Sequence, residues 1–130
     1  MIYQDYRNFQ GEWRWKNFSP KELACGGGDC PYCEGEYYHD PYSLDMIQEA
    51  RDELGIPFIL NSAHRCAKRN TLAGSTEKSQ HRKIAFDIRN GALSPEELYD
   101  FFDESFTETA GVGIYSWGVH VDFRPNKARW

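Results

Sequence analysis

The sequence predicts an α+β fold in which helices cover a small antiparallel or mixed sheet. Three observations predict it. Two segments, "FSPKELA" and "SPEELYDFFDESF", carry a Ser-Pro-x-Glu helix start; residues 43–54 show helical apolar periodicity; and short β-type runs recur from Pro57 onward, the last two joined by a tight turn. With 130 residues, 40% of them hydrophobic, the chain can bury one core and is short for two. Residues 1–130 therefore read as one domain, with the aromatic and cysteine-rich segment 1–42 packed on it.

Taken in order, the N-terminal stretch is rich in Tyr3, Tyr6, Trp13 and Trp15, side chains expected to cover a core edge. Ser19 as N-cap, Pro20 at the first helical position and Glu22 at the capping-box position start a short helix. A Gly- and Cys-rich loop runs to about Asp40. From Ser43, "SLDMIQEARDELG" puts Met46, Ile47, Ala50 and Leu54 on one helical face, with Gly55 as the stop and Pro57 beyond it. "PFILNSA" reads as a buried strand, "CAKRNTLAG" as a short helix or loop, and "KIAFDIR" as a second strand. Ser94 to Glu97 open another helix, with Leu98, Phe101 and Phe102 facing inward. "GVGIYS" and "GVHVDFR", separated by Ser116, Trp117 and Gly118, look like a hairpin.

A formal net charge of -5 argues against a general electrostatic grip on nucleic acid or an anionic membrane, which needs clustered Lys and Arg. An anionic partner would have to be met locally. No apolar run approaches the roughly 20 residues that span a bilayer. The N-terminal "MIYQDYRNFQGEWRWKN" lacks the apolar core of a secretory signal, so no signal peptide is expected.

Cys25, Cys30, Cys33 and Cys66 are even in number, and three of them cluster in "CGGGDCPYC". Two readings stand open, disulfides in an oxidising compartment or a structural zinc site with thiolate ligands. The Cys-x-x-Cys at Cys30 and Cys33 suits a metal better than a strained local bridge. No strand and helix follow it as a redox motif would require.

Chemistry concentrates in two strands. Successive strand side chains point to opposite faces, so in "GVHVDF" Val119, Val121 and Phe123 make an apolar face while His120 and Asp122 share the other. In "IAFDIR", Ile84, Phe86 and Ile88 face the core, and Ala85, Asp87 and Arg89 lie opposite. If these strands are neighbours, His120 and Asp87 converge, and His81 can reach back from the loop before the strand. Two neutral imidazoles and a carboxylate are a usual ligand set for catalytic zinc. The plain alternative is a satisfied core histidine beside a turn aspartate.

The blocks "FSPKELAC", "LGIPFILNSAHRC", "SQHRKIAFDI", "GVGIYSWGVHVD" and the terminal "ARW" resemble, in order, the zinc D-Ala-D-Ala carboxypeptidase family, and more closely its compact branch of bacterial and phage murein peptidases, which have a hedgehog-like zinc peptidase fold. The resemblance covers nearly everything from Phe18 to Trp130. It implies zinc ligands at His81, Asp87 and His120, and a substrate-binding arginine at Arg65, in "SAHR". An arginine suits that role because a guanidinium grips a peptide carboxylate through a bidentate fork that lysine cannot reproduce. Arg69 and Arg89 are weaker candidates for it.

Peptide hydrolysis also needs a proton acceptor and a donor for the leaving amine. Asp122 is the first candidate, with the alternative that it only orients an imidazole. Tyr115 is a candidate to stabilise an oxyanion, or else a sheet aromatic. Three features depart from the family pattern. His81 to Asp87 is one residue shorter than usual and lacks the customary glycine; position 64 is His where Tyr is usual; and the cysteine cluster is more elaborate. His64 is read as a packing residue, with spare ligand or proton carrier as alternatives, and His39 as a fourth ligand if Cys66 is free.

The resemblance thus implies a zinc peptidase of peptidoglycan stem peptides, with one catalytic Zn2+ and a second, structural one as an open alternative to disulfides. Its expected setting is a phage lysis enzyme, held in the host cytoplasm until it reaches the cell wall, or a virion-borne lysin among other virion proteins. Two further readings stand beside it: a non-catalytic structural or peptide-binding virion protein that keeps the fold, and a chain whose only metal site is the cysteine knuckle.

Overall fold

Both Ser-Pro-x-Glu segments start helices by closing a complete capping box. Ser19 and Glu22 do so for α1 (Pro20–Leu23), and Ser94 and Glu97 for α4 (Pro95–Ser105). In each, the serine hydroxyl accepts the N–H three residues on, while the glutamate carboxylate accepts the serine N–H. The computed structural model describes all 130 residues. The remaining helices are α2 (Pro41–Leu54), ended by Gly55 at φ 67°, and α3 (Ala67–Leu72), capped by the Cys66 sulfur.

Strands β1 (Ile2–Tyr3) and β2 (Tyr37–Tyr38) form a small antiparallel pair. The main sheet contains β3 (Ile59–Ser62), β4 (Phe86–Arg89), β5 (Gly111–Tyr115), β6 (Gly118–Asp122) and β7 (Ala128–Arg129), in the order β3-β4-β6-β5-β7. All neighbours are antiparallel except β5 and β7, so the sheet is mixed. The α+β prediction holds.

One face of this sheet supplies the core. Phe86, Ile88, Val112, Val119 and Val121 are fully buried and join Leu44 and Ile47 of α2 and Leu98 and Phe102 of α4 in one apolar cluster. Trp15, Phe18, Leu23 and Tyr37 extend it, so the N-terminal aromatic segment does cover a core edge. The pairing places Asp87, His120 and Gly113 in one row across β4, β6 and β5. Directly paired residues share a face, so this row lies opposite the core.

Two expectations change and one strand is new. Helix α2 starts at Pro41 rather than Ser43, because Asp40-Pro41 supplies the N-cap and first helical residue; its buried face centres on Leu44, Ile47 and Ala50, with Met46 and Leu54 half-buried. The "PFILNSA" strand is a sheet edge rather than a buried strand, with one neighbour and Ile59 43% exposed. The terminal "ARW" forms β7, which no sequence periodicity marks because it is two residues long.

Candidate active site

Asp87 and His120 are register partners on adjacent strands, and this alone brings a carboxylate and an imidazole together. His81 arrives from a single 3₁₀ turn, Gln80–Arg82, where the Ser79 hydroxyl accepts the His81 N–H at 3.2 Å. The Arg65 N–H donates to the His81 carbonyl at 2.7 Å, fixing that turn to the chain after β3. The short His81-to-Asp87 spacing therefore still closes: His81 Nε2 lies 3.1 Å and His120 Nδ1 3.0 Å from Asp87 Oδ1.

The other ring nitrogens decide the tautomers. His81 Nδ1 is 2.5 Å from the Ala63 carbonyl, which can only accept, so Nδ1 carries the proton and Nε2 a lone pair. His120 Nε2 is 2.7 Å from Asp122 Oδ2, so it is the donor and Nδ1 holds the lone pair. Two imidazole lone pairs thus point at one carboxylate oxygen. Such an arrangement is repulsive unless a cation, either a proton or a metal ion, lies among them. The three donor atoms lie within 4.8 Å of one another. Burial alone would raise the Asp87 carboxyl, but the two imidazoles, where a proton lies between them and the carboxylate, outweigh it and hold the group well below the ordinary carboxylate range. For His120, burial disfavours the charged form, yet Asp122 and Asp87 outweigh it and its pKa is raised.

A cavity of about 390 Å³ opens over this row. Arg65 lines it together with His81, Asp87, His120, Tyr115, Trp117 and Trp130. Its Nη2 donates to Ser75 Oγ at 3.3 Å and Ser79 Oγ at 3.4 Å, while its Nε is buried with no partner. Burial pushes the guanidinium's pKa down from its usual value, with the Asp87 charge opposing. A buried N–H without an acceptor is costly, so an anionic group entering the cavity would be well received. Lys78 and Arg124 also line the cavity, making it cationic in a chain of net charge -5.

Residues 16–122 match the family model described as peptidase M15. The chain belongs to the peptidase M15 family. No curated protein and no solved structure matches it. M15 peptidases are zinc-dependent, and the donor set fits such an ion. Each imidazole gives its second N–H to a carbonyl or carboxylate, the support a metal-bound histidine ordinarily has.

Several expected residues take other places in this M15 chain. Asp122 is 1% exposed and does not line the cavity. Its oxygens accept from His120 Nε2, from Arg124 Nε and Nη2 at 2.7 Å each, and from the Arg124 N–H, which leaves no face for a substrate proton. Of its two expected roles, the hydrogen bond to His120 fits the one that orients an imidazole. Tyr115 does line the cavity, and its oxygen accepts the Trp130 indole N–H at 2.8 Å, leaving the hydroxyl proton free. His64 is fully buried between Glu36 Oε1 and the Lys83 carbonyl, away from the cavity, which agrees with a packing role. His39 hydrogen-bonds Tyr37 and packs on Phe9, and is no ligand. Arg89 bonds Asn61. None of the four cysteines is in a disulfide; they lie together, with donor atoms within 4.8 Å of one another.

Sequence reasoning missed Trp130, whose ring lies 5.0 Å from that of His120, and the cavity residues Lys78, Ser75, Ser79 and Trp117. One signal pointed there. Gly111 and Gly113 alternate on β5, and a Cβ at Gly113 would collide with the Trp130 indole.

Proposed function

We propose that this chain is a zinc-dependent peptidase that hydrolyses peptide bonds in peptidoglycan stem peptides. One observation carries the reading: two imidazole lone pairs converge on Asp87 in a cavity whose wall holds a half-buried guanidinium with an unpartnered, buried Nε–H. His81 Nε2, Asp87 Oδ1 and His120 Nδ1 are the metal ligands in this reading. Zinc bound to them supplies Lewis-acid polarisation of a carbonyl and a water whose pKa is lowered to about 7.

The chain's own residues do the rest. Arg65 grips a free carboxylate of the stem peptide and sets the peptide's register over the centre. Asp122 holds the His120 Nε2 proton, so that Nδ1 faces the ligand cluster. The Tyr115 hydroxyl donates to charge developing on the carbonyl oxygen. Trp130 and Trp117, which line the cavity, limit water around the reacting bond. Action at a bacterial cell wall, in phage lysis or at entry, belongs to the same reading.

A second reading has a specific observation in its favour. Asp87 is the only carboxylate lining the cavity, so no free carboxylate stands ready as general base, and a peptide-binding protein without turnover would look alike. Purified protein incubated with muropeptides, with and without EDTA, and analysed by mass spectrometry separates the two. Hydrolysis that stops with EDTA and in His120→Ala supports the peptidase. Binding without hydrolysis supports the second reading, and hydrolysis that persists in EDTA and in His120→Ala overturns the zinc assignment.

A further inference from the structure

The four cysteines come from two distant stretches of chain. Cys25, Cys30 and Cys33 lie in the loop after α1, and Cys66 directly follows Arg65. Gly26, Gly27 and Gly28 take φ of 64°, 65° and 86°, a left-handed run that favours glycine, and it brings Cys25 and Cys30 into one cluster. A Cβ at Gly26 would sit 3.0 Å from Cys30 Cβ and 3.1 Å from Arg69 Nη1, so that guanidinium lies over the knuckle.

We propose that Cys25, Cys30, Cys33 and Cys66 form a second metal centre, a tetrathiolate site for a structural zinc ion that staples the Arg65-bearing segment to the N-terminal part of the chain. Distance is the first argument. Zinc–sulfur bonds of about 2.3 Å in a tetrahedron set sulfur atoms about 3.8 Å apart, whereas a disulfide needs about 2.05 Å. The Cys30 and Cys66 sulfurs are 3.9 Å apart, and all four sulfurs lie within 4.8 Å of one another. Four sulfurs gathered about one point suit an ion better than two bonded pairs.

The second argument is the donor pattern. Every sulfur accepts one main-chain N–H: Cys30 from Tyr32 at 3.4 Å, Cys33 from Glu36 at 3.4 Å, Cys25 from Cys66 at 3.2 Å and Cys66 from Arg69 at 3.5 Å. Thiols need no such set of donors, but four thiolates around a divalent ion carry two net negative charges, which these N–H groups and the Arg69 guanidinium offset. Cys25, Cys30 and Cys66 are buried and Cys33 is half-buried, and the four thiolates fill a tetrahedron, as befits a closed structural site without an open ligand position. Zinc rather than iron suits it, since zinc has no redox chemistry and nothing here asks for any.

The consequence falls on Arg65. Its neighbour Cys66 is a ligand, and its own N–H is held by His81, so the ion and the 3₁₀ turn clamp it from two sides. Cys66 also caps α3, which leads to Ser75 and Ser79, the Arg65 partners.

The test is elemental analysis and cobalt substitution of the full chain, purified under reducing conditions, as wild type, Cys30→Ser and His81→Ala/His120→Ala. The double histidine variant is expected to keep one zinc per chain and, loaded with Co2+, the sulfur-to-cobalt charge-transfer band of a tetrathiolate site. Cys30→Ser loses that band and one zinc equivalent. If Cys30→Ser does not fold, the wild-type cobalt spectrum decides alone. A wild-type spectrum without the sulfur band, one equivalent of iron in place of zinc, or peptide mapping that finds the cysteines bridged in native protein would each overturn the proposal. The histidine variant separates this outcome from any failure of the centre at His81, Asp87 and His120.

Discussion

Asp122→Asn removes one charge and almost no volume, which makes it a sharp probe of how the His120 side of the centre is held. The carboxylate is 1% exposed and accepts from His120 Nε2 and from Arg124 Nε and Nη2, each at 2.7 Å. An asparagine NH2 group cannot accept, so whichever way the amide turns, either His120 or Arg124 faces another donor. Breaking one side of a buried charged pair costs about 3–5 kcal/mol, which for a domain of this size lowers Tm by about 10–20 °C. With the NH2 turned to His120, that ring loses the acceptor that fixes its tautomer, and zinc affinity falls about 10- to 100-fold. Zinc titration against a competing chelator and thermal melts with and without zinc measure both effects. A variant that binds zinc as tightly as wild type yet has lost turnover would refute this reasoning and return Asp122 to the role of general base. The same residue predicts a pH signature. Burial would raise its pKa, but Arg124 and His120 outweigh burial and lower it from 3.8 to about 2. Stability from a carboxyl depressed in the fold is fully present above the unfolded value and is lost as pH falls through the folded one. Wild-type stability should therefore drop between pH 3.8 and about 2, and Asp122→Asn should lack that part of the slope.

Three further outcomes follow from the cavity and the core. Arg65→Lys keeps the charge but not the fork, and kcat/KM on stem peptides with a free carboxylate should fall about 10- to 100-fold, with little change on the amidated peptide; equal loss on both would remove Arg65 from substrate binding. Gly113→Ala places a Cβ into the Trp130 indole and should cost about 1–3 kcal/mol in urea unfolding, with most of the loss relieved in the Gly113→Ala/Trp130→Ala double variant; strict additivity of the two would contradict the contact. Phe102→Ala empties a fully buried site between α4 and the sheet and should cost about 3–5 kcal/mol while leaving the zinc count of the folded protein unchanged; a loss under about 1 kcal/mol would mean that the core is elsewhere.

Much of the fold was legible because its signals are local. The two capping boxes, the glycine stop of α2 and the parity of β4 and β6 each depend on residues a few positions apart, and each appears where its chemistry places it. The errors have equally plain causes. Apolar runs look alike at a sheet edge and in its middle, so β3 was read as buried. A two-residue strand has no period, so β7 was invisible, and with it the arrival of Trp130 over His120. For Asp122, strand parity left the roles of base and of His120 partner both open, and only the fold shows that Arg124 turns back two residues later to donate to both its oxygens.

Residue type and spacing were enough to establish the α+β class, the helix starts and the two chemically loaded strands, and together with the family resemblance they singled out His81, Asp87 and His120. Tertiary structure decided everything that depends on non-local pairing. It decided that β4 and β6 are neighbours in a register that sets Asp87 against His120, that a 3₁₀ turn compensates the short spacing, and that Cys66 meets three cysteines more than thirty residues earlier. The physical reason is reach. Capping, periodicity and turn chemistry act over a few residues, whereas register, the unpartnered Nε–H of Arg65 and the order of strands arise only when the chain's distant parts share one core.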